Sequence, residues 1–550
     1  RACLIEIASN GRISVWFGHQ SSFKVRKWLA THLDMPEEMI VVHPTVMGGS
    51  FGGKEGYEEA LCTYYLTCAS GRPVKVVETY AEELLDGEPR HAAIVTLKTG
   101  VKGGKLWAWE GKIFYNGGAY AARKPSPRAN MSGTTMLAGS YNIPHVRMLG
   151  YAVYTNRIPC GYFRAPGEVQ TLFAVESHID KIAEELGIDP LEFRLMNCLK
   201  KGDTRATGEP ISDPRAEDVL REAARASRWR APLRKTGKQK LFGRGIALGD
   251  RHVGHGESSA ELCLEPDGKL RLLTSVRDQG AGAYTMHRQV AAEILGVEPR
   301  GISVEVRGTE DGPYDEGVRG ARGAHVEGTA VARAARAFIE QAREKAAEIS
   351  RCSAENIRWE EGKLLSLNGP SRSLSLADLA RLSPKAVQGF GHYKAEKKPH
   401  VYSFQALVAD VAVDPETGEV QVLHLYFAYD VTKVINPIIH QGQIDGAVMQ
   451  GVGFTLMEEL AVEEGRIMAL SLGDYKIPNV RDVPPLHTSL VKAEEGPGPF
   501  GVKAVAEAGI SIVAPAIANA VYNATGVRIV EPPITSEKVL KGLRHPGALE

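Results

Sequence analysis

Glu507 is the residue in this sequence best suited to moving a proton. It lies in GVKAVAEAGI, between Ala506 and Ala508 and ahead of the apolar run 510–518. A carboxylate among small apolar residues loses solvation, which raises its affinity for a proton toward that of a general base. The same position would also suit a carboxylate facing the N-terminus of the next helix. Two glycine loops, GGSFGGKEG (48–56) and DQGAGAYT (278–285), could bring bare backbone N–H groups against an anionic or oxo ligand. The first nearly spells a phosphate-binding loop, Gly48-x4-Gly53-Lys54, but Glu55 stands where that motif needs a hydroxyl for Mg²⁺, and its charge repels phosphate. A plain tight turn is the simpler alternative. Asp430 ends an apolar run, VLHLYFAYD, that could imitate the acidic strand of a nucleotide hydrolase. Arg164, in GYFRAPGE, could offer its guanidinium to an anion or pair with a carboxylate. Gln441 and Gln443, in HQGQIDGA, could hold the polar edge of a heterocycle or cap a helix.

Composition narrows the field. Lysine plus arginine (66) equals aspartate plus glutamate (66), so no basic surface for nucleic acid or acidic lipid is advertised. The seven cysteines are scattered without a CxxC, against a disulfide scaffold, a zinc ribbon or an iron–sulfur cluster held by this chain alone. No HExxH or GxSxG occurs, and no metal ligand is expected from the protein. No apolar run reaches ~18 residues, so the expectation is a soluble, cytoplasmic protein. Glycine is in excess, at 58 of 550 residues, where ~7% is usual.

The elements that must position these groups are mixed. Alternation over 3–16, turned at Ser9-Asn10-Gly11, predicts a hairpin, and 94–115 a second one turned at Gly103-Gly104. Helices are expected over 22–33, 57–69, 168–186, 286–295, 326–349, 442–459 and 514–524, and strands over 39–43, 74–78, 243–276, around 305 and over 402–429. A polar, basic stretch over 200–240 divides the chain. The fold class is α+β: two mixed domains, 1–240 and 241–550, each with a glycine loop opening a helix.

Six segments then occur together in one order: MGGSFGGKEG, GYFRAPGEVQ, ESHIDKIAEELGIDPLEFRLMNCL, DQGAGAYTMHRQVAAEILG, GQIDGAVMQGVGFTLMEEL and GVKAVAEAGISIVAPAIANAV. With these the chain resembles the molybdenum-cofactor subunit of the xanthine dehydrogenase and aldehyde oxidase family, the molybdenum hydroxylases. The resemblance implies two molybdopterin-binding domains with the cofactor at their interface, and a chain that begins inside the first of them. It implies that Gly49, Phe51 and Gly52 form the wall beside the molybdenum, that Arg164 and Ala165 form the arginine loop near it, and that Gln443 binds the pterin. Gln279, Gly280, Ala281 and Gly282 match the loop around the pterin and its phosphate, Glu55 the carboxylate facing a substrate ring, and Glu507 the base. The cofactor is molybdopterin or its cytosine dinucleotide form, held without a protein ligand to the metal.

Departures from the family pattern bear on substrate. Ala165 takes the place of the copper-binding cysteine of carbon monoxide dehydrogenases, against that activity. Ser132 falls where xanthine dehydrogenases carry a substrate-orienting arginine and Pro166 where they carry a stacking phenylalanine, against xanthine in its usual pose. Ala281 replaces a glutamine and Ala506 a glycine. The expected activity is hydroxylation of an electron-poor carbon of a purine-like N-heterocycle with water as oxygen source, electrons leaving to iron–sulfur and FAD subunits. Aldehyde oxidation is the alternative within the family. From other classes, a phosphate-loop nucleotide-binding protein and a non-catalytic pterin-binding protein stay open.

Overall fold

The computed structural model describes residues 1–120, 132–233, 240–367, 373–383, 385–395 and 400–545. At the start, strands Ala2–Ile7 and Ile13–Phe17 pair antiparallel, with Ile5 opposite Val15. Strands Ile40–His43 and Val74–Val77 complete a four-stranded sheet on its two edges. Alternation puts Cys3, Ile5, Ile13, Val15 and Phe17 into one core with Val25 and Leu29 of the helix Ser22–Leu33. Ser21 starts that helix by accepting the Lys24 N–H, and Asp34 ends it in a left-handed conformation. A second sheet joins Ala93–Lys102, Lys105–Asn116 and His145–Val153.

The central sheet runs Leu486–Lys492, Val420–Val431, Tyr402–Val413, Leu241–His252. Strand Tyr402–Val413 is buried at every position. Its residues Leu407, Ala409, Val411 and Val413 pack into the cluster that holds helix Ile510–Thr525, whereas Phe404, Ala406 and Val408 pack into the one that holds Val219 and Leu220 of helix Ala216–Ser227. Period two thus feeds two cores from one strand. Helices Glu168–Glu185 and Ala216–Ser227, from the first half of the chain, share these cores with the second. Gly243 and Gly245 let helix Ile510–Thr525 approach the sheet closely: a Cβ would lie 2.1 Å from the Ala520 carbonyl oxygen at the first and 2.3 Å from the Ala516 carbonyl oxygen at the second. A fourth sheet, with strands Gly256–Leu264, Leu270–Thr274, Ile302–Val306 and Gln388–Ala395, is covered by helices Ala283–Leu295 and Gly328–Ser350.

The architecture is α+β, and most expected elements stand where sequence placed them. The long helix Glu168–Glu185 is followed by Pro190–Asn197, capped by Asp189 with Pro190 in its first turn. Besides helix Ile510–Thr525, which starts earlier than the expected 514, two helix starts differ. One is Ala283–Leu295, which begins directly on Gly282. The other is Pro437–Leu456: Asn436 caps it by accepting the Ile439 N–H and Pro437 opens it. Gln441 and Gln443 therefore lie inside this helix, and the capping role considered for them belongs to Asn436. Gln441 instead donates to Asp445 and Thr488.

Candidate functional site

Arg164 ties three segments together. Its backbone N–H donates to the Phe51 carbonyl at 2.8 Å. Its guanidinium donates to Ala506 O at 2.6 Å, Gln443 O at 3.0 Å and Gln450 Oε1 at 3.2 Å. It also lies 5.8 Å from the Phe51 ring centre. Burial lowers its pKa to about 10. Behind it the Arg90 guanidinium, itself lowered to about 9 by burial, stacks on Phe163 and donates to the carbonyls of Arg164 and Ala165. The turn so held is strained, with Ala165 at φ 55°.

That turn presents the Ala165 N–H to Glu507 Oε1 at 3.0 Å. Glu507 Oε2 accepts from Arg251, whose other terminal nitrogen donates to Glu168. The purely apolar surroundings expected for Glu507 are thus corrected: the neighbours in sequence are small and apolar, but the fold brings a guanidinium from strand Leu241–His252. Burial opposes the charge on Arg251, yet Glu168 and Glu507 together hold its pKa above the ordinary value. Gln405 fixes the other end of the loop by accepting the Gly509 N–H.

The glycine loops complete the surround. Phe51 sits over Gly49, and Gly52, at φ 105°, passes Tyr162 so closely that a Cβ would lie 2.7 Å from its carbonyl oxygen. Gln20 joins the two loops: its N–H donates to Lys54 O and its side-chain amide to Gln279. Gln279 donates in turn to Val318 O at 2.7 Å. Gly282 packs on Ile439 of helix Pro437–Leu456, and that helix returns to Arg164 through Gln443 and Gln450. The loops at 51–54, 164–165 and 279–282 and the helical segment 439–450 therefore form a closed circuit, to which the Glu507 loop is joined through Arg164. At Gly280 and Gly442 an added Cβ would meet nothing within 4 Å, so bare backbone there faces open space.

Two sequence profiles, each described as a molybdopterin cofactor-binding domain, match residues 1–198 and 219–484. A probable xanthine dehydrogenase subunit of Bacillus subtilis (strain 168) is 32% identical over 549 residues, spanning 98% of this chain and 73% of that protein. The chain belongs to the xanthine dehydrogenase and aldehyde oxidase family of molybdenum hydroxylases. The aldehyde oxidoreductase molybdenum-binding subunit PaoC of Escherichia coli O157:H7 is 31% identical, over 97% of this chain and 72% of its own. Quinoline 2-oxidoreductase from Pseudomonas putida 86 superposes with a TM-score of 0.87 at 25% identity, over 99% of this chain and 74% of that one. This member of the family is an oxidoreductase whose cofactor is molybdenum–molybdopterin.

The circuit suits a molybdopterin. It offers glutamine amides, the donors and acceptors that a pterin edge needs, with room beside Gly280 and Gly442, and Gln20 Oε1 is buried in it with no partner. Among the described residues no group of three or more His, Cys, Asp or Glu gathers to hold a metal. A phosphate-loop reading does not survive. Lys54 turns back to donate to Met47 O inside its own loop, and helix Glu58–Ser70 starts four residues later rather than on the lysine. Asp278 accepts the N–H groups of Gly280 and Gly282, at 2.9 and 3.1 Å, so two amides of the second loop already serve a carboxylate. Asp430 is no nucleotide ligand either, being paired with Lys503 at 2.9 Å in the core.

The site residues expected from sequence divide by position. Phe51, Gly52, Arg164, Ala165, Gln443 and Glu507 are linked directly, and Gly49, Gln279, Gly280, Ala281 and Gly282 lie on the same circuit. Glu55 is half-buried in the first loop and interacts electrostatically with Lys24. Pro166 directly follows the strained turn. Ser132 opens the short helix Ser132–Thr135, and its side chain lies outside the described residues. Sequence reasoning missed Arg251, Arg90, Gln450, Gln405 and Gln20. Only Arg251 left a trace, a charge near the end of a long buried strand.

Proposed function

We propose that this chain hydroxylates an electron-poor carbon of a purine-like N-heterocycle, using water as the oxygen source and Glu507 as the general base. The observation that carries this reading is the setting of Glu507, one oxygen on the Ala165 amide of the arginine turn and the other on Arg251. Each carboxylate oxygen keeps a lone pair beyond those bonds, so Glu507 can accept a proton without leaving its partners. Bound molybdenum–molybdopterin supplies Lewis acidity and a two-electron acceptor. Arg164, Gln443 and Gln279 would hold it, and the missing side chains of Gly52, Gly280 and Gly442 would let it approach closely. Glu55 would hydrogen-bond a ring nitrogen, and Phe51, 48% exposed, would fix the ring plane.

A quinoline oxidoreductase among the similar structures favours the N-heterocycle, and PaoC among the relatives favours an aldehyde as the second reading. Segments 1–240 and 241–550 serve as the two cofactor-binding domains in this proposal. Seven scattered cysteines with no CxxC support electron transfer to iron–sulfur and FAD subunits. Replacing Glu507 tests the reading. Glu507→Gln should keep its molybdenum but lose ~10²-fold or more in kcat, whereas a loss within about threefold overturns the base assignment. Turnover of purines and quinolines against aldehydes, under one electron acceptor, decides between the substrates. A protein that binds pterin and turns over neither would be the non-catalytic relative.

A further inference from the structure

We propose that Arg251 is a positioning residue for Glu507, and that Glu168 holds Arg251 in that role. The proposal rests on Glu507 as the base. Its ground is a three-group chain built from three separate elements. Arg251 comes from the end of strand Leu241–His252, Glu168 from the first turn of helix Glu168–Glu185, and Glu507 from the loop before helix Ile510–Thr525. The side chains of Arg251, Glu168 and Glu507 are 8%, 2% and 11% exposed, so water screens them little.

One terminal nitrogen of the guanidinium donates to Glu168 and the other to Glu507. A planar fork held at one tine has a fixed direction at the other. The arginine turn adds to this, because Ala165 accepts the Glu168 N–H at 3.2 Å while donating its own N–H to Glu507. Glu507 is thus aimed by two donors whose positions both trace back to the start of one helix.

Charge follows from the same arrangement. Two carboxylates share one guanidinium, leaving the trio with one net negative charge, which a proton taken up by Glu507 cancels. Among the described residues, other charged groups around the trio are Arg90 and Arg164, both acting on Glu507, and His252, whose Nδ1 lies 3.9 Å from Glu168. Removing the guanidinium raises the proton affinity of Glu507, while removing the Glu168 charge lowers it. A merely structural role would not move one property in opposite directions.

The experiment uses the complete enzyme complex with Arg251→Met, Arg251→Lys and Glu168→Gln, and has two readouts. One is the acidic limb of the kcat/KM–pH profile. The other is the pH midpoint of carbodiimide labelling at Glu507, followed by peptide mass spectrometry, which reads the protonated carboxyl whether or not the enzyme turns over. Expected are a rise of about one pH unit or more in Arg251→Met, a fall in Glu168→Gln, and a near-normal midpoint with reduced kcat in Arg251→Lys. If Arg251→Met does not fold, the Glu168→Gln and Arg251→Lys results decide. Midpoints within about 0.3 of a pH unit of the unmodified enzyme in both Arg251→Met and Glu168→Gln, or in Glu168→Gln where Arg251→Met does not fold, overturn the proposal. Full activity in Glu507→Gln would instead remove the base, leaving the labelling to report the coupling by itself.

Discussion

Arg164 makes bonds that no other side chain could make together. Its guanidinium reaches carbonyls at Ala506 and Gln443 and the amide oxygen of Gln450, which lie on a loop and a helix far apart in sequence. A lysine ammonium carries one compact charge and cannot span the same acceptors with a fixed fork. Arg164→Lys should therefore keep the fold but loosen the circuit of loops. The expected outcome is a lower molybdenum content per chain, measured by metal analysis of the purified complex, with kcat falling in proportion to occupancy or further. Unchanged occupancy would mean that the loops hold together without the arginine.

Among the elements, the contact between helix Ile510–Thr525 and strand Leu241–His252 matters most. Strand and helix carry Arg251 and follow Glu507, respectively, so their separation fixes the distance between those two groups. Gly245 sets that separation together with Gly243, since a methyl group at 245 would press on the Ala516 carbonyl at 2.3 Å. Overpacking of a close-packed core costs about 1–3 kcal/mol. Gly245→Ala should lower stability to denaturant by that order and reduce kcat as well, because the helix must back away and take the base loop with it. Lost stability with wild-type kcat would show that the loop is independent of the helix. The glycine excess thus has two uses, letting backbone face open space at Gly280 and Gly442 and letting a helix approach a sheet at Gly245.

For the molecule as a whole, the Asp430–Lys503 pair links the core to the site. Lys503 opens the loop that carries Glu507, and its ammonium donates to Asp430 and to Tyr402 O, both in the central sheet. Burial raises the pKa of Asp430 to about 6 even though Lys503 favours its charge. The folded protein then holds a proton on Asp430 more tightly than the unfolded chain does. Its contribution to stability is full below the ordinary carboxylate range and is lost as pH rises to about 6. Unfolding free energies of the unmodified protein and Asp430→Asn, measured across that interval, should diverge with the unmodified protein falling relative to the variant. Parallel curves would place the carboxylate's pKa at its ordinary value.

Local pattern alone determined much of this protein. Alternation over 3–16, the helix over 22–33, the Asp189-Pro190 helix start and the glycine loops each depend on residues a few positions apart, and each forms where the chain order says. The ordered motifs also named most of the residues on the circuit. What those residues touch was decided only by the tertiary structure. Arg164 and Ala506 are 342 positions apart, and Arg251 and Glu507 are 256 apart. Such pairs meet because two cores on one central sheet bring their elements together, and burial then makes the pairing of their charges obligatory. No local spacing encodes that meeting. An arginine on a buried strand announces that it needs a partner, and only the packed fold supplies Glu168 on one side and Glu507 on the other.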